Sequence, residues 1–131
     1  MRTTSVEQIT KSREKGHRTK LSVVLPAYNE QGNIEPLVDE IIDAIDTESL
    51  SPLEIIVVDD GSTDGTGRMI SDLATRIPEL TAVVLSRNFG QSAALAAGID
   101  ISTGDYVVTM DADGQNDPAD IPKLIDKLEE G

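Results

Sequence analysis

Two kinds of apolar pattern alternate along this chain. The first is a short continuous run: "LSVVLP" from Leu21, "LEIIVV" from Leu53, "TAVVL" from Thr81 and "DYVVTM" from Asp105. Runs of this length, rich in Val and Ile and bounded by turn residues, predict strands buried on both faces. The second kind keeps helical spacing. Ile34, Leu37, Val38, Ile41, Ile42 and Ile45 fall on one face, as do Met69, Ile70, Leu73 and Ile77, and then Ile121, Leu124, Ile125 and Leu128. Between the last two sets, "QSAALAAGIDI" adds a helix of small residues ending near Gly104. Pro78 closes the second helix and Pro118 opens the fourth.

Four strands alternating with four helices predict an α/β domain: a parallel sheet covered by helices on both faces and joined by right-handed crossovers. Ligands of such sheets sit outside the carboxyl ends of the strands. Three of the four strand-to-helix loops, "PAYNEQGN", "DDGSTDGTG" and "DADGQND", are rich in Asp, Asn, Glu and Gly, and all three fall on that edge. Their carboxylates are expected to converge.

Charge divides the chain in two. Residues 1–20 hold six Lys/Arg and two Glu, a net of +4, while residues 21–131 hold five basic and 22 acidic residues, a net of −17. The leader has few apolar residues and no sustained period, so it is expected to be a basic, disordered tail. A body so acidic is unsuited to gripping nucleic acid or an anionic bilayer, both polyanions. There is no Cys, which rules out disulfides and Cys-ligated zinc or iron–sulfur sites, and the single His, His17, lies in the leader. No run reaches the ~18 apolar residues of a membrane span, and no apolar signal region opens the chain, so a cytoplasmic chain is expected.

The acidic loops also admit simpler readings. "VVDDGSTDGTG" also fits a capped helix start, with Asp or Ser accepting backbone N–H bonds and Gly turning the chain. Its glycines do not follow the dinucleotide order G-x-G-x-x-G, and no P-loop Lys is present. As a calcium loop it fails at position twelve, where Ser71 replaces the bidentate Glu. A phospho-accepting receiver domain needs a Lys at a later strand end, whereas Lys123 and Lys127 fall on the last helix. In "MDADGQ", alternate side chains of an extended segment point one way, so Asp111, Asp113 and Gln115 are expected to share a face and offer oxygens to a hard cation. Mg2+ or Mn2+ held by one or two carboxylates and completed by water and phosphate is the usual arrangement at phosphate-bearing substrates.

Taken together, "LSVVLPAYNEQGNI", "IIVVDDGSTDGT", "LSRNFGQSAALAAGI" and "GDYVVTMDADGQNDPADIPKLI" resemble the family 2 glycosyltransferases of GT-A fold. Within that family they are most similar to the branch of dolichyl-phosphate mannose synthases and bacterial polyprenyl-phosphate glucosyltransferases. The resemblance runs from about residue 21 to the end and rests on four motifs in order. It implies a GT-A, Rossmann-like nucleotide-diphospho-sugar transferase fold, cut after the D-x-D half of the domain.

Residue by residue, the resemblance implies that Pro26, Ala27, Tyr28 and Glu30 bind the nucleotide, with Glu30 accepting from ribose or base. The acidic pair is Asp59 and Asp60, of which Asp59 is the expected base contact. The D-x-D is Asp111 and Asp113, with Gln115 joining them at the metal and Asp111 counted also among the nucleotide contacts. Gly114 stands where the branch more often carries Leu. No residue matches the family's general base. The implied activity is metal-dependent transfer of a hexose from a UDP- or GDP-sugar to a dolichyl or undecaprenyl phosphate, with inversion, at the cytoplasmic face of a membrane. Two other classes stay open: a nucleotide- and metal-binding module that transfers nothing, and an acidic calcium-binding or structural domain.

Overall fold

The computed structural model describes residues 19–46, 52–113 and 117–130. Eight elements alternate along them: β1 (Leu21–Ala27), α1 (Ile34–Asp46), β2 (Leu53–Asp59), α2 (Thr66–Arg76), β3 (Leu80–Val84), α3 (Gln91–Ile101), β4 (Tyr106–Thr109) and α4 (Asp120–Glu129). The four strands pair in parallel in the order β3-β2-β1-β4. The expected fourfold strand–helix alternation and parallel sheet are therefore both present.

Period-two alternation assigns each strand residue to a layer. Leu21, Val23 and Leu25, with Ile55 and Val57 beside them on β2, pack against the apolar stripes of α1, α2 and α4. Val24, Ile56, Val58 and Val107 face the other way, onto Ala94 of α3 and its neighbours. The two faces are covered unequally, three helices against one. That single helix lies very close to the sheet, because a Cβ at Gly98 would stand 2.5 Å from Val24 Cγ1 and 3.1 Å from Val58 Cγ2. Burying a large side chain such as Ile41, Ile70 or Ile121 contributes roughly 1.5–3 kcal/mol, so the thicker layer carries most of the hydrophobic stabilisation.

Polar bonds fix the amino edge of the sheet. The Ser22 hydroxyl donates to Glu54 Oε2 at 2.5 Å and accepts from the Gly104 N–H at 2.9 Å, while the Lys20 N–H donates to Asp105 Oδ2 at 2.8 Å. These bonds pin the α3–β4 turn to β1 and β2.

Two local expectations are corrected. Leu128, assigned to the inner face of the last helix by its spacing, is 46 % exposed in the last turn of α4, beyond the buried Ile121 and Ile125. That helix begins at Asp120 instead of Pro118; a turn precedes it, in which the Asp120 N–H donates to Asp117 O and the Ile121 N–H to Pro118 O.

Chain direction places the crevice. β1, β2 and β3 step outward in one direction, and β4 then returns to the far side of β1. The crevice between the carboxyl ends of β1 and β4 is thus a topological switch point, where open parallel sheets bind ligands.

Candidate active site

Pro26 opens this crevice. β4 follows β1 as far as the pair Val24 and Thr109, closed by the Met110 N–H donating to Val24 O at 3.1 Å. The next rung of a parallel ladder would run from the N–H of residue 26 to Met110 O, and proline has no N–H to give. The strands part there, while on the other side β1 stays paired with β2 through Ala27 and Asp59, and the Asp60 N–H donates to Ala27 O at 2.8 Å.

The first two loops are stitched together. Asn29 takes the left-handed backbone (φ 54°) that a short polar side chain tolerates. Its Oδ1 accepts from the N–H of Thr63 at 2.8 Å and of Asp64 at 3.2 Å, and its own N–H donates to Ser62 Oγ at 2.8 Å. The Glu30 N–H donates to Thr66 Oγ1 and Gln31 Oε1 accepts from the Gly65 N–H, both at 3.1 Å. The Glu30 carboxylate accepts from Asn33 Nδ2 at 2.6 Å. Within the second loop, the Thr66 hydroxyl, and after it the Thr66 N–H, hold the Asp64 carboxyl below the usual carboxylate range by bonding its ionised form.

Asp59 and Asp60 are both buried but are held differently. Asp59 Oδ1 accepts from the Ser62 N–H at 3.1 Å, and its Oδ2 lies against Gly67, where a Cβ would stand at 2.8 Å. Asp60 accepts three bonds from the β3–α3 loop: the Phe89 N–H on Oδ1 at 2.8 Å, and the Gly90 N–H and Asn88 Nδ2 on Oδ2, both at 3.1 Å. Gly61 beside it has φ 69°, and a Cβ there would meet the Arg87 carbonyl carbon at 2.2 Å. The two loops therefore touch backbone to backbone.

These arrangements converge on one cleft of about 210 Å3. Pro26, Ala27, Tyr28 and Glu30 line it from the end of β1, Asp60 from the end of β2, and Asp111 and Asp113 from the end of β4. Seven residues singled out in the sequence thus share a wall. Asp59 is not among the lining residues, and Gln115 lies outside the described residues. The geometry expected of the D-x-D is corrected. The chain has left the strand by Met110 and turns at Ala112 and Asp113, so Asp111 and Asp113 reach the cleft from a turn and not from one face of an extended segment. Ala112 is buried between them.

Gln91, the first residue of α3, carries no local signal of a role in the sequence. It lines the same cleft, and its Nε2 donates to Asp111 Oδ1 at 3.0 Å. A contact made across twenty positions leaves no periodic signal.

Four carboxylates in one cleft repel one another unless hydrogen bonds or a cation offset them. Asp60, Glu30 and Asp111 have the donors named above; Asp113 is exposed at the mouth. Among the described residues no group of three or more His, Cys, Asp or Glu forms a cation cage. Two carboxylates on one wall, all oxygen donors, instead fit a hard divalent cation that completes its shell with water and phosphate oxygens. Among the described residues, no helix is long and apolar enough to cross a membrane.

A parallel α/β sheet with a cleft at its switch point belongs to the open-sheet folds that bind their ligands there. Residues 22–131 match the family described as Glycosyl transferase family 2, and the chain belongs to that family. It is 42 % identical over 113 residues to the undecaprenyl-phosphate 4-deoxy-4-formamido-L-arabinose transferase of Klebsiella pneumoniae, covering 86 % of this chain and 34 % of that one. It is also 42 % identical over 134 residues to the dodecaprenyl-phosphate galacturonate synthase of Rhizobium johnstonii, covering 96 % of this chain and 37 % of that one. The chain therefore spans about a third of the length of these curated relatives. Among solved structures it resembles a mannosyltransferase of Pyrobaculum calidifontis in complex with GDP-Man and Mn2+, at 32 % identity and TM-score 0.63 over 82 % of this chain and 31 % of that one. Glucosyl-3-phosphoglycerate synthase of Mycobacterium tuberculosis, with Mn2+, UDP and phosphoglyceric acid, matches at 32 % identity and TM-score 0.66 over 86 % of this chain and 40 % of that one. The fold is GT-A.

Proposed function

We propose that this chain forms the nucleotide-sugar-binding part of a metal-dependent glycosyltransferase that moves a hexose from a UDP- or GDP-sugar to a polyprenyl phosphate, with inversion, at the cytoplasmic face of a membrane. The observation that carries this reading is the gathering of Pro26, Ala27, Tyr28, Glu30, Asp60, Asp111 and Asp113 around one acidic cleft at the switch point. The volume adds to it. About 210 Å3 is below the roughly 300–1,000 Å3 of whole-ligand pockets, so the cleft suits one portion of a nucleotide sugar, with the rest lying over the strand ends.

Each side chain has work suited to its chemistry. Tyr28, 45 % exposed at the mouth, offers an aromatic face to a base, and Glu30 beside it is an acceptor for ribose or base N–H and O–H groups. Asp59, buried behind the loop, is the proposed base contact. Asp111 and Asp113 would hold Mg2+ or Mn2+, with Gln115 as the proposed third ligand. A divalent cation there supplies charge stabilisation to the departing diphosphate. The names of the relatives support a polyprenyl-phosphate acceptor, and those of the solved structures support a nucleoside-diphosphate donor with Mn2+.

Calorimetric titration of UDP and of GDP, each with and without Mn2+, tests the reading. One nucleotide is expected to bind in a Mn2+-dependent way, and Asp113→Asn to weaken that binding at least tenfold. A folded chain that binds neither nucleotide under either condition would overturn it. Sugar transfer to a polyprenyl phosphate, assayed in parallel, separates a transferase from a module that only binds.

A further inference from the structure

The β3–α3 loop ties two carboxylates of the cleft to each other, and nothing in the proposed chemistry above uses it. At one end of the loop, Asp60 takes the N–H groups of Phe89 and Gly90 and the Asn88 amide. Asn88 Nδ2 also donates to Asp60 O at 3.2 Å, so the Asn88 side chain grips both the main chain and the carboxylate of one residue. At the other end, one residue past Gly90, Gln91 donates to Asp111. Gly61 lies close under the loop, since a Cβ built on it would stand 2.2 Å from the Arg87 carbonyl carbon and 2.3 Å from the Asn88 nitrogen. The loop is thus held on the β2 side by four hydrogen bonds and a close packing contact, and it presents one amide to the β4 side.

We infer that Gln91 is a positioning residue for the metal site: the loop anchored on Asp60 holds its amide against Asp111 and so fixes the orientation in which that carboxylate is presented to a divalent cation. This rests on the reading of Asp111 and Asp113 as metal ligands. The physical ground is general. Ligating carboxylates are oriented by hydrogen bonds from residues that do not themselves touch the metal, and removal of such a partner typically costs about 10- to 100-fold in metal affinity. A carboxylate that loses one of its donors is held less firmly in one orientation, and the freedom that must be frozen on binding weakens the site.

The test is Mn2+ binding to the whole chain, followed by the loss of the free-Mn2+ electron paramagnetic resonance signal, without added nucleotide, which would itself sequester Mn2+. Gln91→Ala is expected to raise the Mn2+ dissociation constant about tenfold. Gln91→Asn keeps the amide but is one methylene shorter, and the same loss is expected of it. Asn88→Ala, which loosens the anchor without reaching the cleft, is expected to reproduce part of the loss, and its combination with Gln91→Ala to cost less than the product of the two. Wild-type Mn2+ binding that both Gln91 variants leave within twofold overturns this inference alone. Absence of Mn2+ and nucleotide binding in the folded wild-type chain overturns the donor-site reading and this inference with it.

Discussion

At the scale of single residues, backbone geometry and hydrogen bonding give the firmest expectations. Gly61 combines φ 69° with a hypothetical Cβ at 2.2 Å from backbone carbon, an atom that cannot yield as a side chain would. Gly61→Ala is therefore expected to destabilise by about 2 kcal/mol or more, read from the midpoint of urea unfolding, and to loosen the β3–α3 loop against Asp60. Asp64 gives a pH signature. Its carboxyl sits below the ordinary value because Thr66 bonds its ionised form. A depressed folded-state value stabilises the fold above the unfolded value of about 3.8 and loses that contribution as pH falls through the folded one. In Thr66→Val the hydroxyl is gone, and the Asp64 titration, followed by carbonyl NMR, is expected to move up toward the ordinary value. Since Asp64 is exposed, its own bond contributes little to stability, and a loss of stability in the variant reports the bond that the buried Thr66 hydroxyl accepts from the Glu30 N–H. An Asp64 titration unchanged in Thr66→Val would refute the assignment.

At the scale of elements, α3 is the informative case. Its sequence reads as a small-residue helix, and the reason for the small residues appears only against the sheet. Gly98 stands over Val24 and Val58 with no space for a methyl group, and Ala94, one turn earlier, is fully buried on the same layer. Helix propensity favours Gly98→Ala by about 1 kcal/mol, whereas overpacking disfavours it by about 1–3 kcal/mol. A contact of 2.5 Å to Val24 Cγ1 decides in favour of overpacking. Net destabilisation is expected in thermal or denaturant unfolding; a stabilised variant would mean that α3 lies further from the sheet. The order of elements was legible from the chain because doubly buried parallel strands are continuous apolar runs, and helices against them carry a 3.6-residue stripe. Strand order was not, since β4 reaches β1 only by packing across more than eighty residues. The same reasoning explains the site. Asp59, Asp60, Asp111 and Asp113 stood out as acidic residues at strand ends. The donation from Gln91 to Asp111, the three donors on Asp60 and the turn at Ala112 and Asp113 depend on tertiary contacts that no local pattern encodes.

At the scale of the whole molecule, the charge imbalance is the dominant long-range term. Residues 21–131 carry a net of −17. Some of these charges have local roles in the cleft and at the amino edge of the sheet, but many, such as Asp39, Asp43 and Asp126, lie on exposed helix faces. Arg76 approaches Glu35 at 3.8 Å with both side chains about half exposed or more, and an ion pair of that kind contributes about 0–1 kcal/mol. Self-repulsion of the folded body should then outweigh attraction, and salt decides the sign. Raising ionic strength from about 0.1 to about 1 M shortens the Debye length from about 10 to about 3 Å, which removes repulsion between helices while leaving buried hydrogen bonds untouched. The unfolding temperature is therefore expected to rise across that range of NaCl, and Arg76→Ala to change it by little at either end. A fall with salt would mean that attractive pairs dominate the surface. The same field bears on the proposed site, because an acidic body concentrates divalent cations near its strand ends while repelling an anionic nucleotide that arrives without one. Nucleotide association should accordingly speed up with ionic strength, and more steeply for the bare nucleotide than for its Mn2+ complex, whose net negative charge is smaller. Stopped-flow rates at two salt concentrations, with and without Mn2+, distinguish that pattern from a uniform screening effect.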